Sequence, residues 1–189
     1  AVQKILDDAK FGEEISISME YIQPEITQET VFFQDMLGYC ETKHTDDEKR
    51  NTNLALACQI LDGLILQPGE EFSFNGVVGE RTAERGYMPA PAYSGNRLVD
   101  QVGGGVCQVS SNLYYATLLS NLEIVRRYNH QYAPTYIKFG CDATVFAKPV
   151  DYVFRNDTDY PIKIVTSWSG YNLTVKIVGT KVDDTYVKV

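Results

Sequence analysis

The chain has 189 residues, 44% of them hydrophobic, which is enough to bury one sizeable core. A formal net charge of −8 argues against a nucleic-acid partner, which needs a basic patch, and against simple electrostatic attraction to anionic lipid. Four cysteines without a CxxC pair make neither a disulfide-dense scaffold nor a zinc cluster, so no metal and no cofactor are expected, and no run reaches the roughly 20 apolar residues of a membrane helix.

Apolar residues at Val2, Ile5, Leu6 and Ala9 predict a short helix, and the alternation over residues 15–22 predicts a strand. A short strand is expected over residues 31–36. Asp46 or Asp47 can cap a helix running through Leu54, Cys58, Leu61 and Ile65 and ending near Pro68-Gly69, which puts Cys58 on the apolar stripe and in the core. Residues 71–74 read as a strand. Residues 75–105 are turn-rich, with a hairpin around Ser94-Gly95-Asn96, and so long a connection in a compact domain often carries function.

Gly103-Gly104-Gly105-Val106-Cys107 then delivers the backbone to a cysteine at the start of a helix, marked by Val109, Leu113, Ala116 and Leu119. A thiol at a helix N-terminus sits at the positive end of the macrodipole, the placement that favours the reactive thiolate. The glycines permit a tight turn and close approach by a substrate, and the free N–H groups there can serve as an oxyanion hole. Against this stands the ordinary fate of a free cysteine, which is that of a small buried hydrophobe.

The two histidines are His44 and His130. His130 follows a strand-like run over 123–128, and Asp142 opens another over 143–147. Cys107, His130 and Asp142 therefore come in an order that suits a nucleophile, its base and the base's orienter. Alternatively, His130 is a strand-end residue and Asp142 a turn residue. Gly104, Gly105, Gln108, Ser110, Arg50 and Asn75 are the candidates for binding substrate or an oxyanion. Gln108 either points its amide at the oxyanion or serves the helix start. Arg50 and Asn53 either bind a carboxylate or hold the long loop. Tyr114 and Tyr115 either line a cleft or pack in the core. Further strands are expected over 135–139, 150–156, 162–169 and 171–179, with a turn at Ser169-Gly170. One helix followed by many strands predicts an α+β fold, with helices packed on a mostly antiparallel C-terminal sheet. The Cys–His–Asp order on such a fold is transglutaminase- or papain-like by analogy.

Several motifs occur together: Arg50-Asn51-Thr52-Asn53, Pro68-Gly69-Glu70-Glu71-Phe72-Ser73-Phe74-Asn75, Val78-Gly79-Glu80-Arg81-Thr82, Gly86-Tyr87, the block 103–115, Glu123-Ile124-Val125, His130, Asp142-Ala143-Thr144-Val145 and the run 154–162. In this order they resemble the VanW-like domain, a family named for an accessory gene of vancomycin-resistance clusters, over about residues 33–178. Cys107, Gln108, His130 and Asp142 fall on its motif positions, whereas Cys40, Cys58 and Cys141 do not. Residues 1–30 resemble the tail of a peptidoglycan-binding module that often precedes such domains, leaving 31–189 as the VanW-like domain. The resemblance implies an extracytoplasmic, cell-envelope location, with a membrane tether outside this sequence and peptidoglycan or an envelope peptide as partner. Two functions fit: a cysteine enzyme performing acyl transfer at an amide, by hydrolysis or transpeptidation, and a non-catalytic envelope-binding module.

Overall fold

In the computed structural model, residue 27 and residues 31–189 are described, apart from 95, 96, 170 and 186. The helix and strand expected before residue 23, and the boundary at residue 30, lie outside the described residues. Val31 and Phe32 are helical rather than extended, and the first strand, β1, runs Asp35–Lys43. Asp47 is the cap of α1 (Glu48–Leu61): its carboxylate accepts the Arg50 N–H at 2.9 Å, which satisfies a first-turn donor and is worth about 1 kcal/mol. Leu54, Ala57, Cys58 and Leu61 form the buried stripe. The helix stops at Leu61, short of the expected end, because Gly63 turns the chain at φ 77° and Ile65–Leu66 becomes a strand, β2.

The turn-rich segment is folded. After β3 (Glu71–Ser73) come a one-turn helix, α2 (Phe74–Val78), and a 3-10 turn at Ala83–Arg85. The expected hairpin follows as β4 (Pro89–Ser94) and β5 (Arg97–Val102). Next are α3 (Cys107–Leu119), β6 (Glu123–Arg126), β7 (Val153–Arg155), β8 (Ile162–Ser169) and β9 (Asn172–Gly179). The strands make three antiparallel sheets, ordered β1-β9-β8-β2, β3-β7-β6 and β4-β5. The fold is α+β.

Helix α3 lies on β1 and β9, while α1 packs on β8. The contact is close enough that a Cβ on Gly38 of β1 would stand 2.0 Å from the Ala116 carbonyl oxygen. Buried polar side chains bolt the helix to the sheet: Asn112 Nδ2 donates to the Leu173 carbonyl at 3.0 Å, and Thr42 donates to Asn112 Oδ1 at 3.0 Å. These bonds satisfy groups that would otherwise cost about 1–3 kcal/mol each in the interior.

Two expected strands do not form. Residues 135–139 make turns, and residues 143–147 join no sheet. The second segment spends much of its backbone hydrogen bonding on α3 side chains. Ala143 N–H donates to Ser111 Oγ at 3.0 Å, and the Ala143 carbonyl accepts from Ser110 Oγ at 2.7 Å. It is thus a strand in sequence character whose neighbour is a helix.

Candidate functional site

The turn before Cys107 is built around two arginines. Gly103 and Gly105 take φ of 81° and 96°, a region that side chains disfavour. A Cβ on Gly103 would be 2.7 Å from Arg81 Cβ, and one on Gly105 would be 2.7 Å from Arg50 Cγ. One on Gly104 would meet the Ala90 carbonyl oxygen at 2.1 Å. The space that the glycines leave is therefore filled by the protein's own arginine stems and hairpin backbone. What Gly104 and Gly105 retain for a ligand is main chain.

Cys107 is the first residue of α3 and is partly exposed, whereas Cys40, Cys58 and Cys141 are buried. All four are free thiols. Its sulfur lies between the backbone groups of one residue: it donates to the Val145 carbonyl at 3.3 Å and accepts from the Val145 N–H at 3.4 Å. The Cys107 sulfur is among the groups that raise the His130 pKa, which puts the imidazole in its neighbourhood. On its other side, His130 Nδ1 is 2.7 Å from Asp142 Oδ2, and the same oxygen accepts the His130 backbone N–H at 2.7 Å. With Nδ1 donating to the carboxylate, Nε2 is the nitrogen left for the sulfur. Arg127 completes the arrangement, donating from Nη2 to Asp142 Oδ1 at 2.9 Å and from Nε to the Asp142 carbonyl at 2.7 Å.

The structure thus brings Cys107, His130 and Asp142 together, with His130 in the loop after β6 rather than at a strand end. Burial pulls the His130 pKa down, but hydrogen bonding and charge from Cys107 and Asp142 outweigh it, and the net shift is upward. Asp142 goes the other way: burial pushes its pKa up, while bonds from His130 and the charge of Arg127 bring it below its ordinary value.

The other candidates divide. Gln108 is buried and committed: Nε2 donates to Thr42 Oγ1 at 2.7 Å and to the Lys43 carbonyl at 2.9 Å, and Oε1 accepts from Arg50 Nη2 at 2.7 Å. Ser110 ties the Cys107 turn to Ala143. Asn75 spans two carbonyls, those of Phe146 and Val150, and accepts from Arg81 Nη1 at 2.7 Å. Asn53 is the loop-holder: it bonds the Met88 N–H and carbonyl and the Gly104 carbonyl. Arg50 keeps a fully buried Nη1 with no hydrogen-bond partner. Tyr114 packs on Tyr152 and lies under the Arg127 guanidinium, which is core behaviour.

Sequence reasoning missed Arg81, Arg127, Ser111 and Tyr136. Burial and the neighbouring Cys107 push the Tyr136 hydroxyl pKa up, keeping it a neutral donor, and it lies 3.4 Å from Ser111 Oγ. Arg127, three residues before His130, was findable as a cation near a proposed carboxylate. Tyr136 gives no signal, because the sequence of its segment, 135–139, reads as a strand.

A family model described as "VanW like protein" matches residues 49–178, more than half of the chain. The chain belongs to the VanW family. The chain is 34% identical over 164 residues to the uncharacterized protein YoaR of Bacillus subtilis, a match covering 85% of this chain and 54% of that protein. It is also 34% identical over 123 residues to the vancomycin B-type resistance protein VanW of Enterococcus faecalis, covering 62% of this chain and 44% of the relative. The chain thus spans about half the length of the curated relatives it matches. No solved structure matches it.

Two surface hollows of this VanW domain, one at Phe33, Pro68 and Tyr160 and one at Cys58, Asp62 and Trp168, lie away from Cys107. Neither joins a nucleophile to a base. Near the Cys107 site, the β4–β5 hairpin and the His130 loop touch through Tyr93 and Tyr132 at a ring separation of 5.6 Å. Among the described residues no helix is long and apolar enough to cross a membrane, and no group of three His, Cys, Asp or Glu is placed to hold a metal ion.

Proposed function

We propose that this domain is an extracytoplasmic, cell-envelope cysteine enzyme that transfers an acyl group from an amide, by hydrolysis or transpeptidation, on peptidoglycan peptides or envelope proteins. The observation that carries this reading is the hydrogen-bonded His130–Asp142–Arg127 group beside a partly exposed Cys107 at a helix N-terminus. The family relationship to a vancomycin resistance protein supports the envelope setting. Cys107 is the nucleophile, His130 the base and then the acid, and Asp142 fixes the ring and stabilises the imidazolium. The protonated Tyr136 hydroxyl is the donor for the oxyanion, because the first-turn N–H groups of Gln108 and Val109, expected from the sequence to be free, already donate to the Gly105 and Val106 carbonyls at 2.9 Å. The likeness to transglutaminase and papain cores remains one of chain order and chemistry.

Alkylation with iodoacetamide across pH, mapped by mass spectrometry, tests the nucleophile. Cys107 should label at least tenfold faster than the other three thiols below pH 8. Burial pushes Cys40 and Cys58 up to about 12 and Cys141 upward. Incubation with purified peptidoglycan should change the muropeptide pattern, and Cys107→Ala and His130→Ala should each abolish that change. A Cys107 that labels no faster than the buried thiols would instead favour a non-catalytic envelope-binding module, the reading to which the engagement of the sulfur by Val145 lends support.

A further inference from the structure

Among the described residues, each charge in the Cys107 site can be paired, with two exceptions. Asp142 is matched by Arg127, and a Cys107 thiolate by a protonated His130. Arg50 and Arg81 remain. Both lie close enough to Cys107 to feel its charge, and their stems rest on Gly105 and Gly103 of the turn that carries it. Their hydrogen bonds all go to neutral acceptors: Gln108 Oε1 for Arg50, and Asn75 Oδ1 with the Gly79 and Phe146 carbonyls for Arg81. Asp47 and Asp151 are the carboxylates whose fields reach them, but neither forms an ion pair with them. Asp47 caps α1, and Asp151 is held by Ser73, Asn75 and Tyr152.

A buried guanidinium with neutral partners is costly in a chain rich in acids, since a lost bond to a charged donor costs more than an ordinary one. Arg50 Nη1, enclosed and unpartnered, is the sharpest instance. Two excess positive charges beside a nucleophile fit an anionic ligand group, and a guanidinium fork fits a carboxylate in particular.

Resting on the acyl-transfer reading, we propose that Arg50 and Arg81 bind the terminal carboxylate of a peptide substrate, so that the bond broken is the last amide of the chain and the leaving group is a free amino acid. The Cys107 sulfur attacks the penultimate carbonyl carbon, an S–C bond forms, and the C–N bond breaks. The imidazolium proton passes to the leaving amine, and the amino acid departs with its carboxylate. Water or a primary amine then attacks the thioester. The nucleophile's proton returns to His130, the S–C bond breaks, and an acid or a new amide is released.

Paired alkylation with iodoacetate and iodoacetamide separates carboxylate binding from nucleophilicity, because a change in thiol reactivity cancels in the ratio of the two rates. The ratio at Cys107 should exceed that of free glutathione about tenfold or more. Arg50→Gln and Arg81→Gln should each lower it several-fold, while Arg155→Gln, a surface change on the β3-β7-β6 sheet, should leave it alone. An unchanged ratio in both arginine variants overturns the proposal. A Cys107 that reacts with neither reagent overturns the acyl-transfer reading instead. The carboxylate site is then judged by titrating Cys107→Ser protein with N-acetylglycine, N-acetylglycinamide and acetyl-aspartyl amide, followed by NMR. Binding of N-acetylglycine alone, weakened at least tenfold by Arg50→Gln, supports a terminal-carboxylate site. Equal binding of all three, or of none, overturns it, and a preference for acetyl-aspartyl amide would assign the site to a side-chain carboxylate.

Discussion

Replacing Asp142 by Asn keeps the shape of the side chain and removes its charge, so the change isolates what the carboxylate does. Asp142 accepts three short bonds from donors: the His130 N–H and Nδ1 at 2.7 Å each, and Arg127 Nη2 at 2.9 Å. An amide has one acceptor oxygen. If that oxygen serves His130, the amide NH2 faces the guanidinium; if it serves Arg127, the NH2 faces both His130 donors. In either orientation at least one charge-assisted bond, worth about 1.5–3 kcal/mol, is replaced by opposed donors that cost about 1–3 kcal/mol more. The carboxylate is only 7% exposed, so solvent offers little relief. Urea unfolding should therefore show a loss of about 3–5 kcal/mol, a large share of a typical domain's stability. Because an imidazolium is no longer stabilised, alkylation of Cys107 by iodoacetamide at pH 6 should fall about ten- to a hundredfold, the kinetic equivalent of one such bond. Wild-type stability together with a wild-type alkylation profile would refute the assignment of Asp142 as orienter.

Other outcomes follow from the same geometry. Asn53→Ala removes a wholly buried amide that bonds both Met88 backbone groups and the Gly104 carbonyl. It should cost about 2–4 kcal/mol by urea unfolding and expose the 79–105 segment to limited proteolysis. Gly104→Ala places a methyl 2.1 Å from the Ala90 carbonyl oxygen, a backbone atom that cannot step aside, and should lower the melting temperature by several degrees or prevent soluble expression. Stability should also depend on pH in two directions. The share from His130, whose folded pKa is raised, is complete below its unfolded value near 6.5 and is lost as pH climbs through the folded value. The share from Asp142, whose folded pKa is lowered, is complete above its unfolded value near 3.8 and is lost as pH falls through the folded value. Melting temperature should therefore peak between these limits, and His130→Ala should flatten the alkaline side.

Where local chemistry dictates structure, the sequence was legible. Asp47 caps its helix, Leu54, Cys58 and Leu61 face inward, and the β4–β5 hairpin and the β8–β9 pair form on either side of the turn signals at 94–96 and 169–170. The triad could be proposed from the scarcity of histidine and the glycine turn, and His130 and Asp142 are hydrogen-bonded. What escaped prediction is tertiary. Residues 143–147 alternate as a strand does, but their backbone is shared between Ser110, Ser111 and Cys107 of α3 and the carbonyls of Tyr128 and Val150, which no periodicity reveals. The glycine sequence reads as room for a substrate, but the room is taken by Arg50 and Arg81, whose positions 22 or more residues away in sequence carry no mark of that proximity. Gln108, Ser110 and Asn75 lie at the site, but their hydrogen-bonding capacity goes largely to holding it together.

The stretch from Asp142 to Val145 has a further consequence. One end holds the carboxylate that aligns the imidazole, and the other supplies the amide and carbonyl that hold the sulfur. The spacing between nucleophile and orienter is thus measured out by three peptide units, with Ala143 pinned midway to Ser111. Such a ruler tolerates exchange of the outward side chains but not a change in length. Deleting one residue would shorten it by about 3.3 Å and turn alternate side chains to the wrong side, disassembling the site while the core beneath stays intact.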